Sequence, residues 1–163
     1  HNDVLAGVVV TNSLELYEQL FYNLNTTGAV LSPFDSYQLI RGLKTLSLRM
    51  ERSTANAQEV VAFLNDSPAV KEVLYTGRGG MISFKVADET RIPHILNSLK
   101  VFSFAESLGG VESLITYPTT QTHADIPAEV RHSYGLTDDL LRLSIGIEDA
   151  RDLIADLRQA LEG

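Results

Sequence analysis

The sequence predicts an α/β fold in which the end of one domain precedes a small, mostly antiparallel α+β domain. Residues 5–10 form a continuous apolar run, which is typical of a strand buried on both faces of a parallel sheet. Residues 35–65 follow as a long helical stretch, and short strands alternate with short helices after it. We therefore assign residues 1–34 to the tail of a larger domain, 35–65 to a linking helix and 66–163 to a C-terminal domain.

The first part contains one strand and one helix. The apolar run from Leu5 to Val10 is followed by Asn12 and Ser13, which are residue types favoured at helix N-caps. Gly28 ends the unit after apolar residues at helical spacing, namely Leu14, Tyr17, Leu20, Phe21 and Leu24. One strand and one helix do not make a stable fold, and the sequence opens without an initiator methionine. This part is therefore expected to belong to a longer chain.

The second part, from Asp35 to Asn65, carries one apolar face along its length. A single helix of this length could link two domains. The same pattern also fits two helices that are broken near Ser47 or Ser53.

The third part predicts an antiparallel sheet with helices on one face. Ile82, Phe84 and Val86 alternate with the polar Ser83 and Lys85, which predicts a strand with one solvated face. Further strands are predicted at 70–75, 101–105, 113–117 and 140–145, and helices at 92–99 and 127–134 and between the cap residue Asp149 and Gly163.

The composition excludes several classes of function. The formal net charge of -8 and the pI of about 4.9 argue against a nucleic-acid partner, because phosphate binding needs a basic surface. The chain has no cysteine, so a disulfide scaffold, a cysteine-ligated metal and a thiol nucleophile are excluded. No apolar run approaches membrane-spanning length and no signal peptide is visible, and this pattern fits a cytoplasmic protein.

Motifs for metal binding or nucleophilic catalysis are absent. Of the four histidines only His123 lies close to another potential ligand, Asp125, and a metal site needs three or four converging ligands. The stretch "GRGG" at 77–80 matches neither a P-loop nor a dinucleotide-binding fingerprint, so we interpret it as a hairpin turn.

Two other features of the sequence could bind an anion. In "SLGG" at 107–110 the glycines allow positive φ, and the exposed N–H groups beside Ser107 could hold an anion. Arg142 lies between two leucines in the apolar run "LLRLSI". Its side chain could point to the polar face of a strand, or it could clamp a carboxylate with both arms of its guanidinium.

Several long motifs resemble the Cys/Met-metabolism family of pyridoxal-phosphate enzymes, which includes cystathionine γ-synthase, γ-lyase and β-lyase. They are "HNDVLAGVVV", "GAVLSPFDSYQLIRGLKTLSLRMERS", "ESLGGVESLITYP", "THADIP" and "LLRLSIGIEDARDLIADLRQAL". The resemblance implies fold-type I, with a doubly wound cofactor domain and a small C-terminal domain that closes over the substrate. It also implies that the cofactor lysine lies just before His1, since none of Lys44, Lys71, Lys85 and Lys100 stands in the family's lysine motif.

The same resemblance assigns a substrate site. Arg142 corresponds to the arginine that grips the substrate α-carboxylate, and Ser107 and the Leu108 backbone lie in the loop that lines this site. Glu106 stands where γ-acting members commonly carry glutamate, which favours γ-chemistry, as in a γ-synthase or γ-lyase, over β-elimination. A β-lyase or an O-acetylhomoserine thiol-lyase of the same family is the alternative. No cofactor-binding, catalytic or metal-binding residue is assigned within the chain.

One departure from the family concerns "VLYTGRGGMISF" at 73–84. Family members usually carry some twenty more residues between Thr76 and Gly77, so this segment is either lost or omitted here. The resemblance further implies amino-acid substrates, association with the N-terminal part of the same protein, and a homotetramer. A hypothesis from another class remains, a non-catalytic domain that binds an amino acid or oligomerises, because the cofactor lysine is absent from the chain.

Overall fold

A computed structural model describes all residues from His1 to Gly163. The chain divides into two compact units, His1–Leu46 and Ser47–Gly163. The helices are α1 Leu14–Thr27, α2 Pro33–Leu43, α3 Leu46–Asp66, α4 Ile92–Ser98, α5 Ala128–Ser133 and α6 Ala150–Glu162. The strands are β1 Val70–Tyr75, β2 Met81–Val86, β3 Ser103–Phe104, β4 Leu114–Thr116 and β5 Leu140–Ser144.

The first unit contains helices α1 and α2. The Ser13 and Ser32 hydroxyls cap their N-termini, and Gly28 ends α1 in the left-handed conformation at φ 68°. The prediction of a strand at Leu5–Val10 is wrong. In the structure of this chain these residues join no sheet, and Leu5 is 97% exposed. A strand needs a neighbour to pair with, and this unit contains none.

The predicted helix 35–65 is two helices, with the break at Lys44 and Thr45. The alternative of two helices is therefore confirmed, but the break lies earlier than Ser47. The N–H of Lys44 bonds to the carbonyls of Arg41 and Gly42, which tightens the last turn of α2.

The second unit is built on a five-stranded sheet in the order β1-β2-β5-β4-β3. All neighbouring pairs are antiparallel except β3 and β4. The predicted pattern of a mostly antiparallel sheet is thus confirmed, and "GRGG" forms the turn between β1 and β2 as expected. The expected strands 101–105 and 113–117 are shorter, because only two and three of their residues pair.

One face of the sheet forms the hydrophobic core. Ile82 lies opposite Leu143, and Phe84 lies opposite Leu141, and all four side chains are fully buried. Helices α3, α4 and α6 contribute the other half of this core, with the buried residues Ala57, Val60, Leu64, Ile92, Ile95, Leu153, Leu157, Ala160 and Leu161. Because side chains alternate along a strand, the polar residues of β2 and β5 lie on the opposite face of the sheet.

None of the helices combines the length and the apolar character needed to cross a membrane.

Candidate substrate-binding site

Arg142 lies in the middle of β5, on the sheet face away from the core. Its direct cross-strand neighbours are Ser83 on β2 and Thr116 on β4, and residues that face each other in an antiparallel pair share one face. Arg142 is half-buried, and its side chain makes no hydrogen bond or ion pair within the chain. By contrast, Arg91 and Arg131 donate to the backbone carbonyls of Leu161 and Thr119. Arg142 therefore keeps its donors available for a ligand.

The segment from Ala105 to Gly109 is fastened at both ends beside Arg142. The Ala105 N–H donates to the Ile115 carbonyl at 3.1 Å, and the Thr116 hydroxyl donates to the Ala105 carbonyl at 2.8 Å. At the other end the Gly109 N–H donates to the Ser144 hydroxyl at 2.9 Å. Of the two glycines that allow positive φ, Gly109 adopts it, at φ 72°, and Gly110 does not.

The end of this loop is held by a buried polar network. The carboxylate of Glu148 accepts hydrogen bonds from the N–H and the hydroxyl of Ser113, at 2.6 and 2.8 Å. The amide of Asn56 on α3 donates to the carbonyls of Gly146 and Glu148, at 3.2 and 2.8 Å. Helix α3, the segment after β5 and the loop are thus joined through hydrogen bonds.

Close backbone approach makes glycine necessary at position 146. A Cβ atom on Gly146 would lie 2.1 Å from the carbonyl oxygen of Val111, a distance that real Cβ atoms do not reach. The Ile147 N–H also donates to this carbonyl at 2.9 Å. The loop therefore packs directly against the backbone that follows β5.

The three predicted loop residues lie between the two fastened ends. Glu106 and Leu108 are exposed and Ser107 is half-buried. None of these side chains makes a hydrogen bond within the chain, and none is bonded to Arg142. The structure thus brings their segment next to the strand of Arg142, and it leaves the side chains and the Leu108 N–H without an internal partner.

A cavity of about 280 Å³ opens beside the same loop. It is lined by Leu108, Gly109 and Ser144 on one side and by the β1–β2 turn, including Arg78 and Gly79, on the other. The short turn therefore shapes the surface next to the predicted loop.

The carboxylate that precedes β5 is kept ionised. Burial raises the pKa of Asp139, but the hydrogen bonds from Lys71 and Thr137 lower it by more, so the pKa lies below its ordinary value. This negative charge is already paired with Lys71 and does not neutralise Arg142.

Sequence reasoning missed the residues that hold the loop, namely Thr116, Ser144, Ser113, Glu148 and Asn56. A signal for two of them was available. Ser144 stands two residues after Arg142, and a strand places such residues on one face, while Thr116 interrupts the apolar run of β4. The remaining partners come from distant parts of the chain, and no local pattern marks them.

The lysines of this chain do not fit an aldehyde cofactor. Lys71 and Lys85 form ion pairs with Asp139 and Glu72, and Lys44 and Lys100 are exposed. No group of histidine, aspartate or glutamate side chains could hold a metal ion either. No step through a cofactor follows from the residues of this chain.

Comparisons with known proteins cover the whole chain. The sequence model of a family described as Cys/Met metabolism PLP-dependent enzymes matches residues 1–162. The chain is 56% identical over 161 residues to a cystathionine gamma-synthase/O-acetylhomoserine (thiol)-lyase of Bacillus subtilis, covering 99% of this chain and 43% of that protein. It is 49% identical over 178 residues to a cystathionine gamma-lyase of the same organism, covering 99% and 47%.

A solved structure of a cystathionine gamma synthase from Xanthomonas oryzae pv. oryzae, in complex with cystathionine, has a TM-score of 0.92. Its sequence is 41% identical, and the match covers 99% of this chain and 46% of that one. The chain thus spans about half the length of the relatives it matches.

Proposed function

Because the chain belongs to the Cys/Met metabolism family of pyridoxal-phosphate-dependent enzymes, we propose that it is the C-terminal, substrate-holding part of a transsulfuration enzyme. The proposal rests on Arg142, which is half-buried and has no partner within the chain. Leaving a partly buried charge unpaired is costly, so such a group is expected to meet an anion when the protein is at work. The anion that all substrates of such an enzyme share is the α-carboxylate of an amino acid.

The surrounding groups support this assignment. A guanidinium presents two parallel N–H donors, which match the two oxygens of a carboxylate. The neighbours Ser83 and Thr116 are uncharged, so they neither repel a carboxylate nor compete with it. The Leu108 N–H and the Ser107 hydroxyl are further donors in the adjacent loop, and Glu106 lies at its solvent side.

Arg142 would act by positioning the substrate. A carboxylate held by two hydrogen bonds fixes the orientation of the bonds at Cα, and correct orientation supplies a large part of enzymatic rate enhancement. The family's cofactor supplies an electron sink when it is bound. We propose that the remainder of the protein holds that cofactor, with its lysine upstream of His1.

Among the activities of the family we favour the γ-synthase. The alignment with the Bacillus subtilis cystathionine gamma-synthase/O-acetylhomoserine (thiol)-lyase spans 161 residues. That with the cystathionine gamma-lyase of the same organism spans 178, although both cover 99% of this chain. The longer alignment means that the γ-lyase contains residues without a counterpart in this chain. We propose that these residues fall between Thr76 and Gly77, in the short turn that lines the cavity beside the loop.

The reaction of a γ-synthase replaces one bond at Cγ. The thiol of cysteine forms a C–S bond to Cγ of an O-acylhomoserine, the C–O bond breaks, and the acyl group leaves as a carboxylic acid. A γ-lyase would instead convert cystathionine and one water to cysteine, 2-oxobutyrate and ammonia, and a β-lyase would convert them to homocysteine, pyruvate and ammonia.

Product analysis of the full-length enzyme tests this proposal. The enzyme is supplied with pyridoxal phosphate and incubated either with O-acetylhomoserine or O-succinylhomoserine plus cysteine, or with cystathionine alone. We expect cystathionine as the main product of the first incubation. Release of 2-oxobutyrate from cystathionine as the main activity would instead assign a γ-lyase, and release of pyruvate would assign a β-lyase. Absence of any reaction, without a visible cofactor band, would favour the non-catalytic hypothesis.

We further propose that the enzyme is a cytoplasmic homotetramer and that the first unit packs against the N-terminal part of the same protein. The absence of cysteine supports the location. Exposed apolar side chains on the first unit, including Val9, Leu16, Tyr17 and Phe21, support the packing.

A further inference from the structure

We propose that Thr116 and Ser144 are positioning residues, whose hydroxyls hold the Glu106–Leu108 segment in register with Arg142. The inference rests on the proposed function, because it assumes that Arg142 and this segment bind the same substrate. It adds two residues to the site that neither the sequence motifs nor the comparisons assign.

The first point concerns Thr116. It lies directly opposite Arg142 in the β4–β5 ladder and is only 2% exposed. Its hydroxyl donates to the carbonyl of Ala105 at 2.8 Å, and the N–H of Ala105 bonds to Ile115 of the same strand. Both the N–H and the carbonyl of Ala105 are therefore hydrogen-bonded to β4, and this fixes the position from which Glu106 leaves the sheet.

The second point concerns Ser144. It follows Arg142 by two residues on β5, so the two side chains share a face, and it is 3% exposed. Its hydroxyl accepts the N–H of Gly109 at 2.9 Å. This bond fixes the other end of the segment, where the positive φ of Gly109 turns the chain.

Ser144 is thus the neighbour of Arg142 along β5, and Thr116 is its neighbour across the sheet on β4. Neighbouring positions of this kind lie about 5–7 Å apart in an antiparallel sheet. A segment fastened at both points has little freedom to shift relative to the guanidinium. Because Thr116 and Ser144 are almost fully buried, each bond is expected to persist when the loop is otherwise exposed.

The competing explanation is that the hydroxyls only stabilise the fold. Loss of a purely structural bond lowers the unfolding temperature and the amount of active enzyme, and it leaves KM unchanged. Loss of positioning raises KM for the amino-acid substrate in enzyme that is fully folded. The two roles therefore differ in a measurable quantity.

The experiment compares Thr116→Val, Thr116→Ser and Ser144→Ala in the full-length enzyme with bound pyridoxal phosphate. Valine keeps the shape of threonine without the hydroxyl, and serine keeps the hydroxyl. The matched control is Thr90→Val, because the exposed Thr90 hydroxyl donates to the Asp88 carboxylate at 2.6 Å in the turn before α4, outside the proposed contacts. KM, kcat and the thermal unfolding midpoint are measured for each variant.

We expect Thr116→Val and Ser144→Ala each to raise KM about two- to twelvefold, the range that corresponds to one hydrogen bond, with Thr116→Ser and Thr90→Val near the wild type. Unchanged KM in both Thr116→Val and Ser144→Ala would overturn the inference. If Thr116→Val does not fold, Ser144→Ala decides alone. Arg142→Lys, measured in parallel, separates the two proposals: unchanged KM in that variant would overturn the proposed function itself.

Discussion

The carboxylate of Glu148 accepts hydrogen bonds from both the N–H and the hydroxyl of Ser113, at 2.6 and 2.8 Å. The same hydroxyl accepts the N–H of Gly146 at 2.9 Å. Ser113 thus uses its backbone and its side chain to join the loop of the candidate site to the segment after β5. The stability of this junction decides whether the loop keeps its place beside Arg142.

We predict that Ser113→Ala destabilises the protein. Ser113 is fully buried, and its loss leaves the Gly146 N–H without an acceptor and Glu148 without one donor. Leaving buried groups unsatisfied costs about 1–3 kcal/mol in the free energy of unfolding. Urea unfolding of the full-length variant measures this cost. Ser133→Ala is the control, since its exposed hydroxyl bonds only to the nearby Val130 carbonyl. Equal effects of the two substitutions would contradict the role given to Ser113.

We predict a second loss of stability on substitution of Asp156, which lies on α6. Its carboxylate accepts the N–H groups of Lys100, Val101 and Phe102 at 2.8–3.1 Å, and the residue is 5% exposed. Hydrogen bonds to a charged group contribute about 1.5–3 kcal/mol each, so Asp156→Ala should lower the unfolding midpoint strongly and Asp156→Asn less.

Asp152→Ala is the control for this measurement, because Asp152 lies one turn earlier on α6 and is exposed. A comparable loss of stability in that control would show that the helix tolerates no change at its surface, and would contradict the importance of the three amide bonds.

We predict that the stability of the protein depends on pH through the carboxyl group of Asp149. Hydrogen bonds from the Arg151 side chain and backbone lower the pKa of this helix cap from 3.8 to about 2. A carboxyl group with a lowered pKa stabilises the fold above its ordinary pKa, and the contribution is lost as the pH falls through the lowered value. Asp149→Asn should therefore be less stable than the wild type at pH 5–7, and the difference should shrink between about pH 4 and 2. Thermal unfolding at several pH values checks this; a constant difference over that range would argue against it.

The second unit could be predicted well from the sequence where one face of an element is buried. The bounds of β2 follow from the strict alternation of residues 81–86, and α6 follows from its apolar stripe between the cap Asp149 and Gly163. In both cases the periodicity of the element is the same as the periodicity of its burial, and a local pattern carries that information.

Elements that depend on distant partners could not be predicted in this way. The run Leu5–Val10 has the composition of a buried strand, but the chain provides no strand beside it. The short extent of β3 depends on how far it pairs with β4, which no local pattern encodes.

In the candidate site, too, a local sequence pattern marks some residues, and others depend on distant partners. Arg142 stands out because it interrupts an apolar strand, and Gly109 because a glycine suits positive φ. The bonds from Thr116 and Ser144 join residues 11 and 35 positions apart, so they arise only when the sheet has formed. The register of β4 against β5 therefore determines the site, and this register is a property of the fold.

Arg142 itself provides the most direct test of the account. We predict that Arg142→Ala in the full-length enzyme raises KM for the amino-acid substrate by at least about thirtyfold, because removing one partner of a shielded ion pair costs about 2–5 kcal/mol. Arg142→Lys should lie between this variant and the wild type, since one ammonium cannot replace a two-pronged contact. Arg52→Ala, an exposed arginine on α3, should leave KM unchanged. A KM for Arg142→Ala equal to that of the wild type would contradict the central claim that this arginine holds the substrate carboxylate.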